Sequence, residues 1–247
     1  MNLKFYLLFL ASITCCHLVA QKSNSNGEKQ IGFLVSGIIP TNYFGAAALY
    51  LDEEHSSLEL STKVGYQFGM VLKTRYSNKI SIENGITFCR RNYNIYGQSF
   101  YQGETRDTSD FGYINYRIPI KGIVDIQLSK QLFMNTGIGF GLDFYASSVQ
   151  STGKNKYINH VSIRNNWINA CVTGDLGLEL RNQDVGDFYF GATVNIPAFA
   201  IAETRLKYYY DGSTADEYNP FLLAGNFLGL KIIYFLPKNM ENKKVEN

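Results

Sequence analysis

One short stretch of the sequence carries residue types suited to nucleophilic catalysis. In HVS, residues 160–162, a histidine and a serine stand two positions apart, and a histidine can take a serine's proton when an acidic group orients its ring. The nearest acids in the following segment are Asp175 and Glu179, which have odd numbers. His160 and Ser162 have even numbers, so in an unbroken strand they lie on the opposite face. The pattern therefore favours a polar loop over a catalytic site.

A second stretch, DEEH at residues 52–55, has the residue types of a metal site. Four consecutive side chains do not converge on one ion without an unusual turn, and the sequence offers no second cluster to complete the coordination. We interpret the stretch as a solvated loop. We expect neither a metal nor any other cofactor.

The composition favours strands as the elements that position these residues. The chain has 247 residues, of which 22 are glycine, 18 tyrosine and 17 phenylalanine, while charged residues make up only 18%. This mixture is typical of strands and tight turns. The formal charge of +2 is spread over interspersed acids and bases, so no basic stripe points to nucleic acid.

Residues 132–146, LFMNTGIGFGLDFYA, alternate between two kinds of side chain. The even-numbered set is apolar apart from Thr136, whereas the odd-numbered set contains three glycines, Asn135 and Asp143. A period of two residues indicates a strand with one apolar face and one small, polar face. The same alternation recurs near residues 30–39, 64–73, 80–89, 114–121, 170–181, 188–196 and 222–234, which makes eight strands.

The connections between these strands alternate between long and short. They fall near residues 40–62, 77–79, 97–110, 127–131, 147–166, 182–186 and 200–220. Hairpin turns at one end and long loops at the other, joining an even number of strands, are typical of transmembrane barrels. The predicted fold is all-β, an eight-stranded antiparallel up-and-down transmembrane β-barrel. A soluble barrel with the two faces exchanged is the alternative, since alternation alone does not reveal which face is inside.

In a membrane barrel the apolar sets face lipid and the other sets face the lumen. Eight strands leave little interior width, so glycines must make room for larger neighbours and charged groups must pair. We therefore predict a packed lumen that does not conduct. The predicted charge network consists of Lys73, Glu83, Arg91, Arg117, Lys121, Asp143, Asp175, Glu179, Arg181 and Lys231. Arg75 and Asp187 are also predicted to face inward.

Aromatic residues gather near the strand ends, where membrane barrels carry interfacial girdles. We predict girdle positions for Tyr93, Tyr96, Phe111, Tyr113, Phe144, Tyr145, Trp167, Phe199 and Phe221 at the long-loop ends, and for Phe188, Tyr234 and Phe235 at the short-turn ends.

The sequence divides into three parts. Residues 1–20 have the positive start, apolar run and small residue before Gln21 that are typical of a cleaved signal peptide, so we expect export. Residues 21–236 form the barrel domain, and residues 237–247 a polar C-terminal tail. Cys89 and Cys171 lie inside separate predicted strands, which favours buried thiols over a disulfide.

The segment FGYINYRIPIKG, residues 111–122, resembles the fourth strand of the PorT-like outer-membrane β-barrel domain family through Tyr116, Ile118, Pro119, Ile120 and Lys121. GYQFGMVLKTRYSNKISIENGITF, GDLGLELR and NFLGLKIIYF extend the resemblance over nearly all of the chain after residue 20. The resemblance implies an eight-stranded barrel like those of OmpA and OmpX, in a family whose members mostly have no assigned activity and whose namesake is associated with secretion and gliding. Because Pro119 has no amide hydrogen for the ladder, we expect a bulge there.

The long-loop segment RLKYYYDGSTADEY, residues 205–218, is the richest candidate for binding a partner. Tyr208, Tyr209 and Tyr210 offer large amphipathic contact areas, although a hairpin that merely extends two strands explains the segment equally well.

Two classes of function remain. We expect a non-enzymatic outer-membrane protein of a Gram-negative envelope, with a role in envelope structure, surface interaction or a secretion apparatus. Its partners would be outer-membrane lipid and an envelope or secretion-system protein. The alternative is a lipid-modifying barrel enzyme, because the His160–Ser162 pair resembles the His-x-Ser pair of lipid A deacylases.

Overall fold

The computed structural model describes residues 27–237 except residues 44, 102, 183, 212 and 213. The predicted signal peptide and residues 238–247 of the tail lie outside the described residues. Within the described part the chain forms fourteen strands. They are β1 (Glu28–Pro40), β2 (Leu49–Asp52), β3 (Ser56–Arg75), β4 (Ile80–Ser99), β5 (Thr105–Gln127), β6 (Leu132–Tyr145), β7 (Val149–Thr152), β8 (Ile158–Arg164), β9 (Ile168–Leu180), β10 (Asp187–Pro197), β11 (Ala202–Asp211), β12 (Thr214–Glu217), β13 (Phe221–Leu223) and β14 (Phe227–Phe235).

Eight of these strands close into a barrel. Around the ring the order is β1, β3, β4, β5, β6, β9, β10 and β14, and β14 pairs with β1 again. Every pair is antiparallel, and each strand contacts the barrel strands that precede and follow it in the chain. The predicted eight-stranded up-and-down barrel is confirmed. Closure leaves the barrel wall without a free edge.

The outer wall carries a belt of exposed apolar side chains. Leucine, isoleucine, valine and aromatic residues on all eight strands point away from the lumen, and Phe140 and Ile138 are 72% and 70% exposed. Charged residues of the same strands, among them Lys73, Glu83 and Lys121, are buried inside. The predicted facing is therefore confirmed, and the exchanged facing of a soluble barrel is wrong. No helix within the described residues is long and apolar enough to span a membrane.

One irregularity reverses the facing along β3. The β3–β4 register shifts by one residue between Lys63 and Tyr66, where Val64 and Gly65 of β3 together oppose Arg91 of β4. Such a bulge changes whether the odd-numbered or the even-numbered side chains face the inside. Leu58 and Leu60 are therefore buried, whereas even-numbered side chains on the other side of the bulge are exposed.

The bulge expected at Pro119 does not occur. The β4–β5 register is the same on both sides of the proline, and only the pairs of Ile118 and Pro119 are missing from that ladder. On its other side Pro119 pairs with Gly141 of β6. The lost amide hydrogen is accommodated by a gap in the ladder, without an extra residue.

The long-loop end of the barrel extends far beyond the apolar belt. Strands β3, β4 and β5 have 20, 20 and 23 residues, and 20 residues reach roughly 65 Å at the usual rise of a strand. The belt of a membrane barrel is about 25 Å tall. A second sheet, of β7, β8, β11, β12 and β13, packs at this end. The predicted loops at residues 97–110, 147–166 and 200–220 are therefore wrong in large part, because they contain strands. We call this part of the molecule the extension. It consists of the second sheet, β2 and the ends of β3, β4 and β5 that lie beyond the apolar belt.

The interior of the extension is apolar and aromatic. Its core contains Ala47, Leu58, Leu60, Tyr93, Ile95, Phe111, Tyr113, Tyr145, Ile158, Ile201, Ala202, Leu206, Tyr208, Tyr218 and Leu223. The girdle prediction is wrong for Tyr93, Phe111, Tyr113 and Tyr145, which are buried in this core, and for Phe235, which is buried in the lumen. Trp167, Phe199 and Phe188 are exposed as predicted. The core closes the lumen at the long-loop end.

The last predicted strand is divided in two. Phe221–Leu223 pairs with β11 in the extension, and only Phe227–Phe235 belongs to the barrel. Gly225 stands between them with a φ of +78°, and a Cβ there would lie 2.5 Å from Ile201 Cγ2. A glycine is required at this break. Ala224, predicted to face outward, is buried.

Candidate functional site

The structure places all ten residues of the predicted charge network inside the barrel, at inward positions of six strands or, for Arg181, just beyond β9. Nine are almost fully buried, and the side chain of Arg181 is 17% exposed. They fall into three clusters stacked along the lumen.

The short-turn cluster lies at the end of the barrel that carries the hairpin turns. Glu179 is its centre, because it accepts from Lys73, from Arg75 Nη2 at 2.5 Å and from Arg181 Nε at 2.7 Å. Asp125 contacts Lys73 at 3.4 Å and Arg181 Nη2 at 3.1 Å. Three cations and the three acids Glu179, Asp125 and Asp187 balance in charge.

The middle cluster contains two lysines and two acids. Lys121 Nζ lies 2.5 Å from Glu83 Oε1 and 2.6 Å from Asp175 Oδ2, and Lys231 Nζ lies 2.8 Å from the same oxygen of Asp175. Gly139 gives Lys121 its space, since a Cβ there would lie 2.7 Å from Lys121 Cγ. This cluster is also balanced in charge.

The upper cluster lies below the aromatic core of the extension. Asp143 holds Arg117 with two hydrogen bonds, at 2.6 Å to Nε and 2.8 Å to Nη2. Arg91 is fully buried and donates to Gly225 O at 2.8 Å and to Asn115 Oδ1 at 2.5 Å. Cys89 and Cys171 are buried free thiols, as predicted.

Arg75 and Asp187, which were predicted to face inward, are buried in the short-turn cluster, whereas Asp125 was not predicted. The signal for Asp125 was present, because the inward odd-numbered face of β5 continues past Lys121 to Ile123 and Asp125. Gln30, Ser81 and Asn135 complete the cluster with hydrogen bonds to its charged side chains.

The spaces between the clusters are small. One cavity, beside Lys73, Glu83 and Asp175, measures about 10 Å³, and another, beside Arg117 and Lys121, about 20 Å³. A single water needs roughly 10–15 Å³ on this measure. Each of these two cavities therefore has room for about one water molecule.

His160 and Ser162 lie inside the extension, not on its outer face. Both are fully buried in β8. Residues 165–167 separate β8 from β9, so the rule that even-numbered side chains of β9 face outward does not apply to β8. His160 Nε2 lies 2.6 Å from Ser162 Oγ, and Nδ1 lies 3.0 Å from Ser151 Oγ. Both ring nitrogens therefore contact hydroxyl groups, and the ring stacks on Phe111 with centroids 3.9 Å apart. The arrangement is a buried hydrogen-bond chain.

This burial predicts a pH dependence of stability. Burial lowers the pKa of His160 from 6.5 to about 4, so as the pH falls below 6.5 the unfolded chain takes up the proton first and the folded state loses stability. We expect a loss of about 2 kcal/mol between pH 7.5 and pH 5. Urea unfolding in lipid vesicles at both pH values measures it. A His160→Gln variant should lack this part of the loss, and equal losses in both proteins would contradict the assignment.

The candidate binding segment at residues 205–218 forms an antiparallel pair, with Asp211 opposite Thr214, so the hairpin interpretation of its backbone is confirmed. Tyr208 is buried in the core, where its hydroxyl contacts that of Thr105 at 3.1 Å. It is therefore not on the surface. Tyr209 and Tyr210 are partly exposed, and binding by them remains a prediction.

The DEEH loop borders a groove on the extension. His55 packs edge-on against Tyr101 and stacks on Tyr210, at centroid distances of 4.4 Å and 4.9 Å, and lies 3.8 Å from Asp216. The groove beside it measures about 460 Å³ and is lined by the three acids of the loop together with Tyr50, Phe100 and Tyr101.

No family model matches the chain, and no curated protein matches it. Among solved structures it is similar to the outer membrane protein OprG from Pseudomonas aeruginosa, at 9% identity over 86% of this chain and 97% of that one, with a TM-score of 0.45. It is also similar to the translocator domain of the autotransporter NalP from Neisseria meningitidis (8% identity, 93% and 96% of the two chains, TM-score 0.34) and to the outer membrane protease OmpT from Escherichia coli (11%, 84% and 93%, TM-score 0.34). At these identities and TM-scores the likenesses carry no argument about function, and the barrel fold stands on the strand pairing itself.

Proposed function

We propose that this chain is an integral outer-membrane β-barrel protein without an open pore, and that it acts through its extension by binding another molecule at the cell surface. The observation that carries the proposal is the filled interior. Charged clusters occupy the lumen at the level of the apolar belt, and the aromatic core closes it above. This filling of the interior by the described side chains supports a barrel without an open pore, and the exposed surface of the extension remains for function.

The apolar belt supports the membrane location. An exposed wall of leucine, isoleucine and phenylalanine around all eight strands would be a strong aggregation liability in water. In a bilayer the same wall meets lipid, and the closed ring satisfies the backbone without water. The predicted signal peptide fits export to the outer membrane.

The extension has the features of a contact surface. Tyr50, Phe100 and Tyr101 are exposed beside the groove, and tyrosine and phenylalanine are enriched in protein interfaces. The buried core of the extension lies beneath this surface. The resemblance to PorT-like barrels supports a partner in an envelope or secretion apparatus.

The enzyme alternative has less support. A lipid A deacylase would need His160 and Ser162 on the lipid-facing surface with an acid beside the histidine. Both residues are fully buried instead, and the ring nitrogens of His160 contact hydroxyls. We therefore propose a non-enzymatic protein.

Site-specific photocrosslinking tests the proposal. A benzophenone side chain replaces Tyr50 in one protein and Tyr76 in a control, since both tyrosines are exposed but Tyr76 follows β3 at the short-turn end. Crosslinking is done in intact cells of the source organism, and the adducts are identified by mass spectrometry. We expect one major protein adduct from the Tyr50 position and none of that mass from Tyr76. A specific adduct from Tyr76 alone would place the interaction at the opposite end and contradict the proposal.

A further inference from the structure

The upper cluster carries one more cation than anion. Asp143 is the acid of this cluster, and both of its oxygens are used by Arg117. Arg91 Nη2 lies 3.8 Å from Asp143, beyond hydrogen-bonding distance. The other clusters of the described lumen are balanced in charge. A fully buried guanidinium without a compensating charge is costly in a protein interior.

Hydrogen-bond donors also outnumber acceptors around Arg91. Among the described residues, five buried side-chain atoms near it have no hydrogen-bond partner: Arg91 Nη2, Asn115 Nδ2, Asn226 Nδ2, Tyr93 OH and Tyr145 OH. The three nitrogens donate only, and the two hydroxyls can donate. Native proteins rarely leave such groups unpaired.

These groups lie together on the wall. Arg91 and Tyr93 are successive inward residues of β4, and Tyr113 of β5 stands opposite Arg91. Asn115 is the next inward residue of β5, and Tyr145 of β6 pairs with it. Asn226 follows Gly225, whose carbonyl accepts from Arg91 Nε. The residues that carry these donors are thus close neighbours of Arg91 in the fold, and the ring centroid of Phe227 lies 5.2 Å from Arg91 Cζ.

We propose that Arg91 and these donors form a buried binding site for a small monovalent anion of chloride size, at the floor of the aromatic core. An anion accepts from several donors at once and neutralises Arg91. A water molecule would satisfy some of the donors but would leave the surplus charge. Arg91, Tyr93 and Tyr145 are fully buried, so we expect a small site that excludes polyatomic anions such as phosphate.

Anomalous diffraction tests the site directly, with bromide as the probe. The full-length protein without its signal peptide is folded and crystallised in nonionic detergent with sodium bromide. We expect an anomalous peak within hydrogen-bonding distance of Arg91 Nη2. Density at that position without anomalous signal would identify a water, and would overturn the proposal, as would an absence of density there.

The bromide dependence of stability gives a second test. The unfolding midpoint in urea is measured in nonionic detergent as bromide replaces gluconate at constant ionic strength. We expect bromide to stabilise the wild type with saturation, and an Arg91→Gln variant to show no saturating dependence. Arg106→Gln, at an exposed arginine paired with Glu104, is the matched control and should behave as the wild type.

A milder variant covers the case in which Arg91→Gln does not fold. Tyr145→Phe keeps the charge and removes one donor, so the bromide concentration for half-saturation should rise about tenfold, as for the loss of a hydrogen bond to a charged group. An unchanged half-saturation in Tyr145→Phe, or equal dependence in wild type and Arg91→Gln, would overturn the proposal.

Discussion

Replacing Glu179 by alanine should destabilise the folded barrel by about 3–5 kcal/mol, the usual cost of removing one partner from a buried ion-pair network. Glu179 is fully buried and accepts from Lys73, Arg75 and Arg181. Without it, three cations share Asp125 and Asp187, and the cluster carries a surplus positive charge. Both of these remaining carboxylates already contact the cations of the cluster.

The measurement is the free energy of unfolding in urea, with the protein folded into lipid vesicles. Glu53→Ala is the matched control, since Glu53 is exposed in a loop of the extension, and it should change stability by less than about 0.5 kcal/mol. Similar costs for the two variants would contradict a paired, packed lumen.

Replacing Ile138 by arginine should cost about 2–4 kcal/mol if this residue lies near the midplane of a membrane. Ile138 is 70% exposed in the middle of β6, among the apolar belt. An exposed isoleucine in water would tolerate arginine with little change. The size of the effect therefore reports whether the exposed wall faces lipid.

The matched control is Ile163→Arg in β8 of the extension. Ile163 is also exposed, at 45%, but belongs to the second sheet beyond the apolar belt. We expect a change near zero at this position. Gel mobility with and without heating reports the folded fraction of both variants. Equal effects at the two positions would contradict the placement of the membrane around the barrel wall.

The barrel was predictable because a strand alternates with a period of two, and the lipid-facing set must be apolar. The odd-numbered glycines of β6 and the acids of β9 face inward as this rule requires. The alternating loop lengths then determined which face is outside, which alternation alone could not do.

Part of the core of the extension could have been predicted from alternation, but its aromatic residues were assigned to a girdle. The odd-numbered side chains of β4, β5 and β6 point inward, and these strands contain Tyr93, Phe111, Tyr113 and Tyr145. Continued alternation along each strand therefore already predicted that these four side chains lie inside. General membrane-barrel architecture suggested a girdle instead, and that expectation was wrong. His160 and Ser162 lie in β8, which residues 165–167 separate from β9. The odd and even numbering of β9 therefore does not predict which way their side chains face.

The ion pairs within the lumen could not be predicted from the sequence either. Inward facing could be predicted residue by residue, but which acid meets which base depends on strand stagger and on the bulge at Val64 and Gly65. Lys121 of β5 meets Asp175 of β9, two places away around the ring. Such contacts follow only from the closed geometry.

The most direct test of the account is the conductance of the purified wild-type protein in planar lipid bilayers. With charged clusters in the membrane-spanning section and an aromatic core above them, insertion should produce no steady single-channel current. An open porin added to the same bilayer serves as the positive control, and protease treatment of the extension in vesicles confirms insertion. A large, stable conductance from the wild-type protein would contradict the filled lumen and would identify the barrel as a pore.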